Sequence, residues 1–150
     1  MFERIIYDTL YEYLVNNKLL TPKNSGFKKG ESTICQLVSI CHKLYEGLDN
    51  QKHIRMVFLD ASKAFDKVWH RGLLFKLAPM GIVDPLLSWF ESYLSGRQQR
   101  VVLQGHTSDW SNVEAGVPQG SILGPLLFLV YFNEICLHIE NDINLFADDT

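Results

Sequence analysis

Asp148 and Asp149 stand side by side after an apolar run, Asn144-Leu145-Phe146-Ala147. A lone Asp at a strand end is ordinarily a turn or capping residue. Two in succession at the rim of a buried strand repel each other and lose hydration, a cost that a cation between them removes. The pattern recurs: Met56-Val57-Phe58-Leu59 is a second short apolar run that stops on an aspartate, Asp60. If the two strands are neighbours in one sheet, Asp60, Asp148 and Asp149 converge. Mg²⁺ suits such a place, because it takes oxygen ligands and is usually held by one or two carboxylates, waters and substrate phosphates. Two such ions about 3.5–4 Å apart stabilise both the attacking and the leaving oxygen of a phosphoryl displacement. Polymerases and nucleases both use that chemistry, so the carboxylates alone leave the two open.

Between the carboxylate runs lies Ala115-Gly116-Val117-Pro118-Gln119-Gly120-Ser121-Ile122-Leu123-Gly124-Pro125, which leads into an apolar segment of helical length. Its glycines allow close backbone approach, Pro118 stiffens the turn and Ser121 is placed to cap the next helix. Gln119 is the one long polar side chain presented there. An ordinary loop before a core helix has the same composition.

Taken together, these residues carry a family resemblance. Val57-Phe58-Leu59-Asp60-Ala61-Ser62-Lys63-Ala64-Phe65-Asp66-Lys67-Val68, Gly116-Val117-Pro118-Gln119-Gly120-Ser121 and Phe146-Ala147-Asp148-Asp149 resemble, in order and spacing, three palm motifs of reverse transcriptases. They look most like the polymerase of non-LTR (LINE-type) retrotransposons. Upstream, Ser25-Gly26-Phe27-Lys28-Lys29-Gly30-Glu31-Ser32-Thr33 resembles the fingers segment before the first palm motif.

The resemblance implies an α+β fold, a polymerase palm with part of the fingers, with residues 1–52 on the fingers side and 53–150 carrying the palm motifs. It implies RNA-directed DNA synthesis using Mg²⁺ or Mn²⁺, an RNA template, a DNA primer and dNTPs. Asp60 and Asp148 would be the metal-binding carboxylates, with Asp149 supporting them and the Ala61 backbone a further ligand. Lys63 and Ala64 would turn backbone N–H groups toward the triphosphate. Phe65, which taken alone reads equally well as a core aromatic, stands five residues beyond Asp60 and would sit under the sugar and exclude a 2′-hydroxyl by steric clash. Gln119 would contact the incoming nucleotide, and Gly120 would let its loop pass close to the template or base pair. Asp66 and Lys67 read as a solvated turn without chemistry.

The same resemblance marks departures. Family members carry fingers Arg and Lys residues upstream of the equivalent of Met1, and a return strand, primer grip and thumb downstream of the equivalent of Thr150. Glu31 stands where relatives often carry a basic residue. The expectation is a fragment truncated at both ends and inactive alone. The alternative is a retroelement remnant retaining at most nucleic-acid binding. A nuclease explains neither Phe65 nor the Gln119 loop.

Positioning these residues needs helices and a sheet. Ile5, Ile6, Leu10, Tyr13 and Leu14 share a face of a helix over 3–17, and Ile34, Leu37, Val38, Cys41 and Leu44 share one over 33–48. A helix over 70–80 stops at Gly81, and another follows Pro85 to Leu94. Residues 99–104 and 110–114 read as a hairpin around 105–108. Residues 122–132 read as a buried core helix, too short to span a bilayer.

With 150 residues and 47% hydrophobic content the chain can bury a sizeable core. Its net charge of −3 is unusual for a nucleic-acid binder, but local cations exist at Lys28-Lys29, Lys63, Lys67, His70-Arg71, Arg97 and Arg100. Cys35, Cys41 and Cys136 lack metal-ligand spacing, which suits a reducing intracellular compartment, nucleus or cytoplasm. Met1 leads straight into an amphipathic helix with no signal peptide. His42, His53, His70, His106 and His138 read as surface or edge residues. Trp69 and Trp110 could stack on bases, worth about 1–3 kcal/mol per base, but read more readily as core or hairpin packing. Oligomeric state is not encoded in any of these features.

Overall fold

The computed structural model describes residues 2–150, the side chain of His138 excepted, so the expectations for Met1 and for the His138 ring lie outside the described residues. Its helices are α1 (Phe2–Asn16), α2 (Thr33–Asp49), α3 (His70–Leu77), α4 (Leu86–Leu94) and α5 (Gly124–Phe132). Short strands β1 (Gln98–Gln99), β2 (Val102–Leu103), β3 (His106–Thr107) and β4 (Ser111–Asn112) pair in antiparallel fashion. Helices with small antiparallel pairs make an α+β composition. The chain divides into two compact units. One runs to Leu19 and resumes over Lys63–Tyr131; the other comprises Leu20–Ser62 and Phe132–Thr150.

The first unit is packed on apolar side chains. α5 is hydrophobic all round, as a helix must be when no face meets water, and Leu126, Leu127, Phe128, Leu129 and Val130 are all buried. Ser121 Oγ accepts from the Gly124 N–H at 2.9 Å and donates to the Pro118 carbonyl at 2.7 Å, fixing the start of α5. α1 buries Leu10, Tyr11 and Leu14, and α4 buries Phe90 and Leu94. α3 buries Leu73 and Leu77, tightens into a 3₁₀ turn over Ala78–Met80 and stops at Gly81. Gly81 has φ 88°, the left-handed end that glycine adopts without strain.

The hairpin forms with a different turn. Leu103 pairs with His106 and Val102 with Thr107, so the turn is Gln104-Gly105, both at positive φ, rather than 105–108. Two successive positive φ values match the twist of the flanking strands, which favours this two-residue turn. Gln98–Asn112 and Gln99–Ser111 then pair one residue out of step with the inner pairs, as a bulge requires. Trp69 and Trp110 are not core residues: both are exposed, and the Arg100 guanidinium lies 4.6 Å from the Trp110 ring centroid.

The second unit is built differently. Ser32 caps α2 by accepting from the Cys35 N–H at 3.2 Å, yet no α2 residue is buried. Cys136, Ile143 and Leu145 form a small apolar cluster. The expected buried strand over 56–59 is not one. Its side chains are exposed, Phe58 at 76%, and its backbone pairs only at Leu59 and Asp60. A pairing of two short segments leaves both faces open, which is why the apolar run stays in solvent. Segment 23–25 instead runs parallel to Leu145: the Leu145 N–H donates to Lys23 O at 2.8 Å and the Ser25 N–H to Leu145 O at 2.9 Å.

Candidate active site

All three candidate carboxylates lie in the second unit. Leu59 and Thr150 exchange both backbone hydrogen bonds, at 2.7 and 2.9 Å, and the adjoining pair Asp60 and Asp149 stand directly opposite each other. Opposed residues in an antiparallel pair project to one face, and a pair without mutual hydrogen bonds is the closer-set kind. Like charges so placed repel unless something between them is positive. Phe146 and Asp149 also exchange hydrogen bonds, at 2.8 and 3.1 Å, so Ala147 and Asp148 are the two central residues of a tight turn. Ala147 has φ 58° in this turn. The strand expected to run through Ala147 therefore turns there, and Asp149 already belongs to the returning segment.

This donor set suits a hard cation that keeps some waters, because it offers carboxylate oxygens from two facing segments. Among the described residues no group of three or more His, Cys, Asp or Glu side chains is placed to hold a metal ion; the opposed carboxylates are two, Asp60 and Asp149. Ala61, half-buried, follows Asp60 directly. A cavity of about 400 Å³ within this unit is lined by Leu37, Ile40, Phe58, Phe146, Asp60 and Asp149, apolar walls with two carboxylates among them. Elsewhere in the unit, burial holds the Lys28 ammonium below its usual range, opposed by the nearby Glu31, and Lys28 Nζ donates to the Thr21 carbonyl.

Residues of the first unit form a separate constellation. Phe65 opens a short 3₁₀ turn, and its ring stacks on the buried Phe128 ring at 4.4 Å between centroids and 12° between planes. The glycine loop docks onto this turn: the Gly116 N–H donates to Val68 O at 2.8 Å and the Val117 N–H to Phe65 O at 2.9 Å. Gly116 has φ 95°, and a Cβ there would come within 2.9 Å of the Asp66 backbone. Only glycine fits. His70 is more than a surface residue, since its Nε2 lies 2.7 Å from the Gly116 carbonyl and must carry the proton it donates. Gln119 Nε2 donates to Asp66 Oδ1 at 2.8 Å. Gly120 has φ 79° and Lys63 φ 55°, while Ala64 is right-handed helical at the head of the 3₁₀ turn.

Asp60 and Asp149 are thus set opposite each other in one unit, with Asp148 in the adjoining turn, and Lys63, Ala64, Phe65, Gln119 and Gly120 lie in the other. Three further residues support these constellations. Asp66 is exposed, as a solvated turn should be, yet its carboxylate holds Gln119. Asn24 and Gly26 are buried against Ala147. The available signal was Asn two residues before Gly, an Asx-turn pattern that marks a local turn and says nothing of a distant partner.

Residues 1–150 match the family model for reverse transcriptase (RNA-dependent DNA polymerase). The chain belongs to the reverse transcriptase family. This reverse transcriptase segment is 33% identical over 154 residues to the probable RNA-directed DNA polymerase from transposon X-element of Drosophila melanogaster, covering 99% of this chain and 17% of that protein. It is 34% identical over 158 residues to the RNA-directed DNA polymerase from mobile element jockey of the same species, covering 94% of this chain and 17% of the relative. A retrovirus-related Pol polyprotein from the type-1 retrotransposable element R2 of Popillia japonica is 26% identical over 110 residues, covering 73% of this chain and 18% of its own length. The segment therefore spans less than a fifth of the length of these relatives. No helix among its described residues is long and apolar enough to cross a membrane.

Proposed function

We propose that this chain is the metal-binding and nucleotide-selecting part of an RNA-directed DNA polymerase of a retroelement, with the right-hand palm and part of the fingers as its fold. The observation that carries this reading is the direct opposition of Asp60 and Asp149 beside the turn residue Asp148. The family match and the transposon polymerases among its relatives support it. Asp60, Asp148, Asp149 and the Ala61 carbonyl would hold Mg²⁺ or Mn²⁺, which supplies charge neutralisation for transfer of a nucleotidyl group from a dNTP to a primer 3′-hydroxyl.

The chain's own residues have separate tasks. Asp60 and Asp149 stand opposite each other and project to one face, so a cation between them would relieve whatever repulsion solvent leaves. Phe65, stacked on Phe128, is held as a rigid ring that excludes a ribose 2′-hydroxyl by steric clash. Asp66 fixes Gln119, which contacts the incoming nucleotide, and the positive φ of Gly120 keeps that loop in its turn. Lys63 and Ala64 offer backbone N–H groups to the triphosphate. Partners on this reading are an RNA template, a DNA primer and dNTPs.

Primer extension on an RNA template with dNTPs and Mg²⁺, carried out with the full-length polypeptide that contains these residues, tests the assignment. Wild-type extension that falls by about 10²-fold or more in Asp148→Asn, with the circular dichroism unchanged, is expected. Equal extension by wild type and mutant contradicts it, and silence of the folded wild type supports the inactive remnant instead.

A further inference from the structure

Ala147 is the residue that turns the chain toward the carboxylates, and it does so at φ 58°. A side chain at that φ is unfavourable by roughly 1–2 kcal/mol, so the surroundings have to hold it. They do so through a single buried amide. Asn24, only 2% exposed, accepts from the Ala147 N–H at its Oδ1 (3.2 Å) and donates from Nδ2 to the Ala147 carbonyl (3.4 Å). The same Oδ1 accepts from the Gly26 N–H at 2.9 Å, which locks the amide's own orientation. Gly26 completes the seat: a Cβ there would lie 2.1 Å from the Ala147 nitrogen. The flanking backbone is tied on both sides, since Lys23 and Ser25 pair with Leu145 and Gln36 Nε2 donates to Leu145 O at 3.3 Å.

On this geometry, and resting on the function proposed above, we infer that Asn24 is a positioning residue for the metal-binding carboxylates. It grips both peptide groups of Ala147 and thereby fixes the direction in which Asp148 and Asp149 leave the turn. The role needs an amide. A carboxylate at position 24 would face the Ala147 carbonyl with lone pairs only, and an aliphatic side chain would leave the N–H and C=O of Ala147 buried without partners. The separation of 123 residues between Asn24 and Ala147 makes this a tertiary device.

Mn²⁺ titration of the full-length polypeptide, followed by the electron paramagnetic resonance signal of the free ion, reads the effect without catalysis. Asn24→Ala is expected to weaken Mn²⁺ binding about tenfold, the size of effect that groups orienting metal ligands produce. Adding Ala147→Gly to that variant should recover most of the loss, because glycine takes positive φ without help. A purely structural Asn24 would lower the melting temperature without such rescue. Asn24→Asp, of the same shape, is the second variant and should weaken binding in the same direction. Wild-type binding in both Asn24 variants, or weak binding that Ala147→Gly does not recover, overturns the inference. Asp148→Asn separates the two levels: if it leaves Mn²⁺ binding unchanged the metal site itself is wrong, whereas if it removes binding and the Asn24 variants do not, only the positioning role is wrong.

Discussion

The two units hold their candidate functional residues by different forces. In the first, Phe65 and the Gln119 loop rest on a helix buried on every side, and the loop's backbone bonds to Val68 and Phe65 sit over Phe128 and its neighbours. In the second, α2 buries nothing, the run before Asp60 lies in solvent, and the carboxylates are held by backbone pairs and the Asn24 amide. Packing is non-directional and tolerant of small shifts, whereas hydrogen bonds fix angles. The gate proposed for Phe65 needs bulk in a defined place. Carboxylates that share a cation need direction, and like charges cannot be gathered by apolar burial, which would only raise the cost of their ionisation.

The contrast can be broken by truncating one buried and one exposed side chain. Phe128→Ala should destabilise the chain by about 3–5 kcal/mol in denaturant unfolding, by lost burial and the cavity left beneath Phe65. Leu37→Ala, on the uncovered α2, should stay within about 0.5 kcal/mol. Equal costs would mean that the second unit is packed as firmly as the first.

How much of this was legible in the sequence follows the same division. The buried helix expected over 122–132 begins at Gly124 and leaves Ile122 exposed, whereas the stop at Gly81 and the cap at Ser121 rest on local chemistry and are where the sequence places them. The motif order in 57–68, 116–121 and 146–149 pointed to the family. Misreadings fall where long-range partners decide the outcome. An apolar run such as 56–59 has the composition of a buried strand, but burial depends on what covers it. The hairpin turn moved to Gln104-Gly105 because a non-glycine residue took positive φ there, which composition does not announce. Asp66 read locally as a solvated turn and Asn24 carried no reading at all, and their partners lie 53 and 123 positions away.

The hydrogen-bonded seat can be challenged at Gly26. Gly26→Ala should cost about 1–3 kcal/mol, since the new methyl has to displace the Ala147 backbone rather than a flexible side-chain tip. An unchanged melting temperature would show that the seat is loose. In the packed unit, Phe65→Ala should lose about 0.5–1.5 kcal/mol from ring stacking beyond the area exposed, and should ease ribonucleotide incorporation in a competition between dNTP and rNTP. Unaltered sugar preference would remove the gate role and leave Phe65 as packing. The smallest effect is expected for the exposed pair Gln119 and Asp66. A double-mutant cycle with Gln119→Ala and Asp66→Ala should give a coupling of about 0.5–1 kcal/mol, and additivity would show that Asp66 does not hold Gln119.

Whether the opposed carboxylates Asp60 and Asp149 hold a divalent ion is decided by calorimetric melting of the full-length polypeptide and its Asp60→Asn variant, each with and without Mn²⁺. A ligand that binds the folded state raises its stability, and removing one of two opposed charges relieves their repulsion. Mn²⁺ is expected to raise the wild-type melting temperature, and Asp60→Asn to melt at or above wild type without metal and to gain nothing when Mn²⁺ is added. The same Mn²⁺ response in both proteins would contradict that expectation.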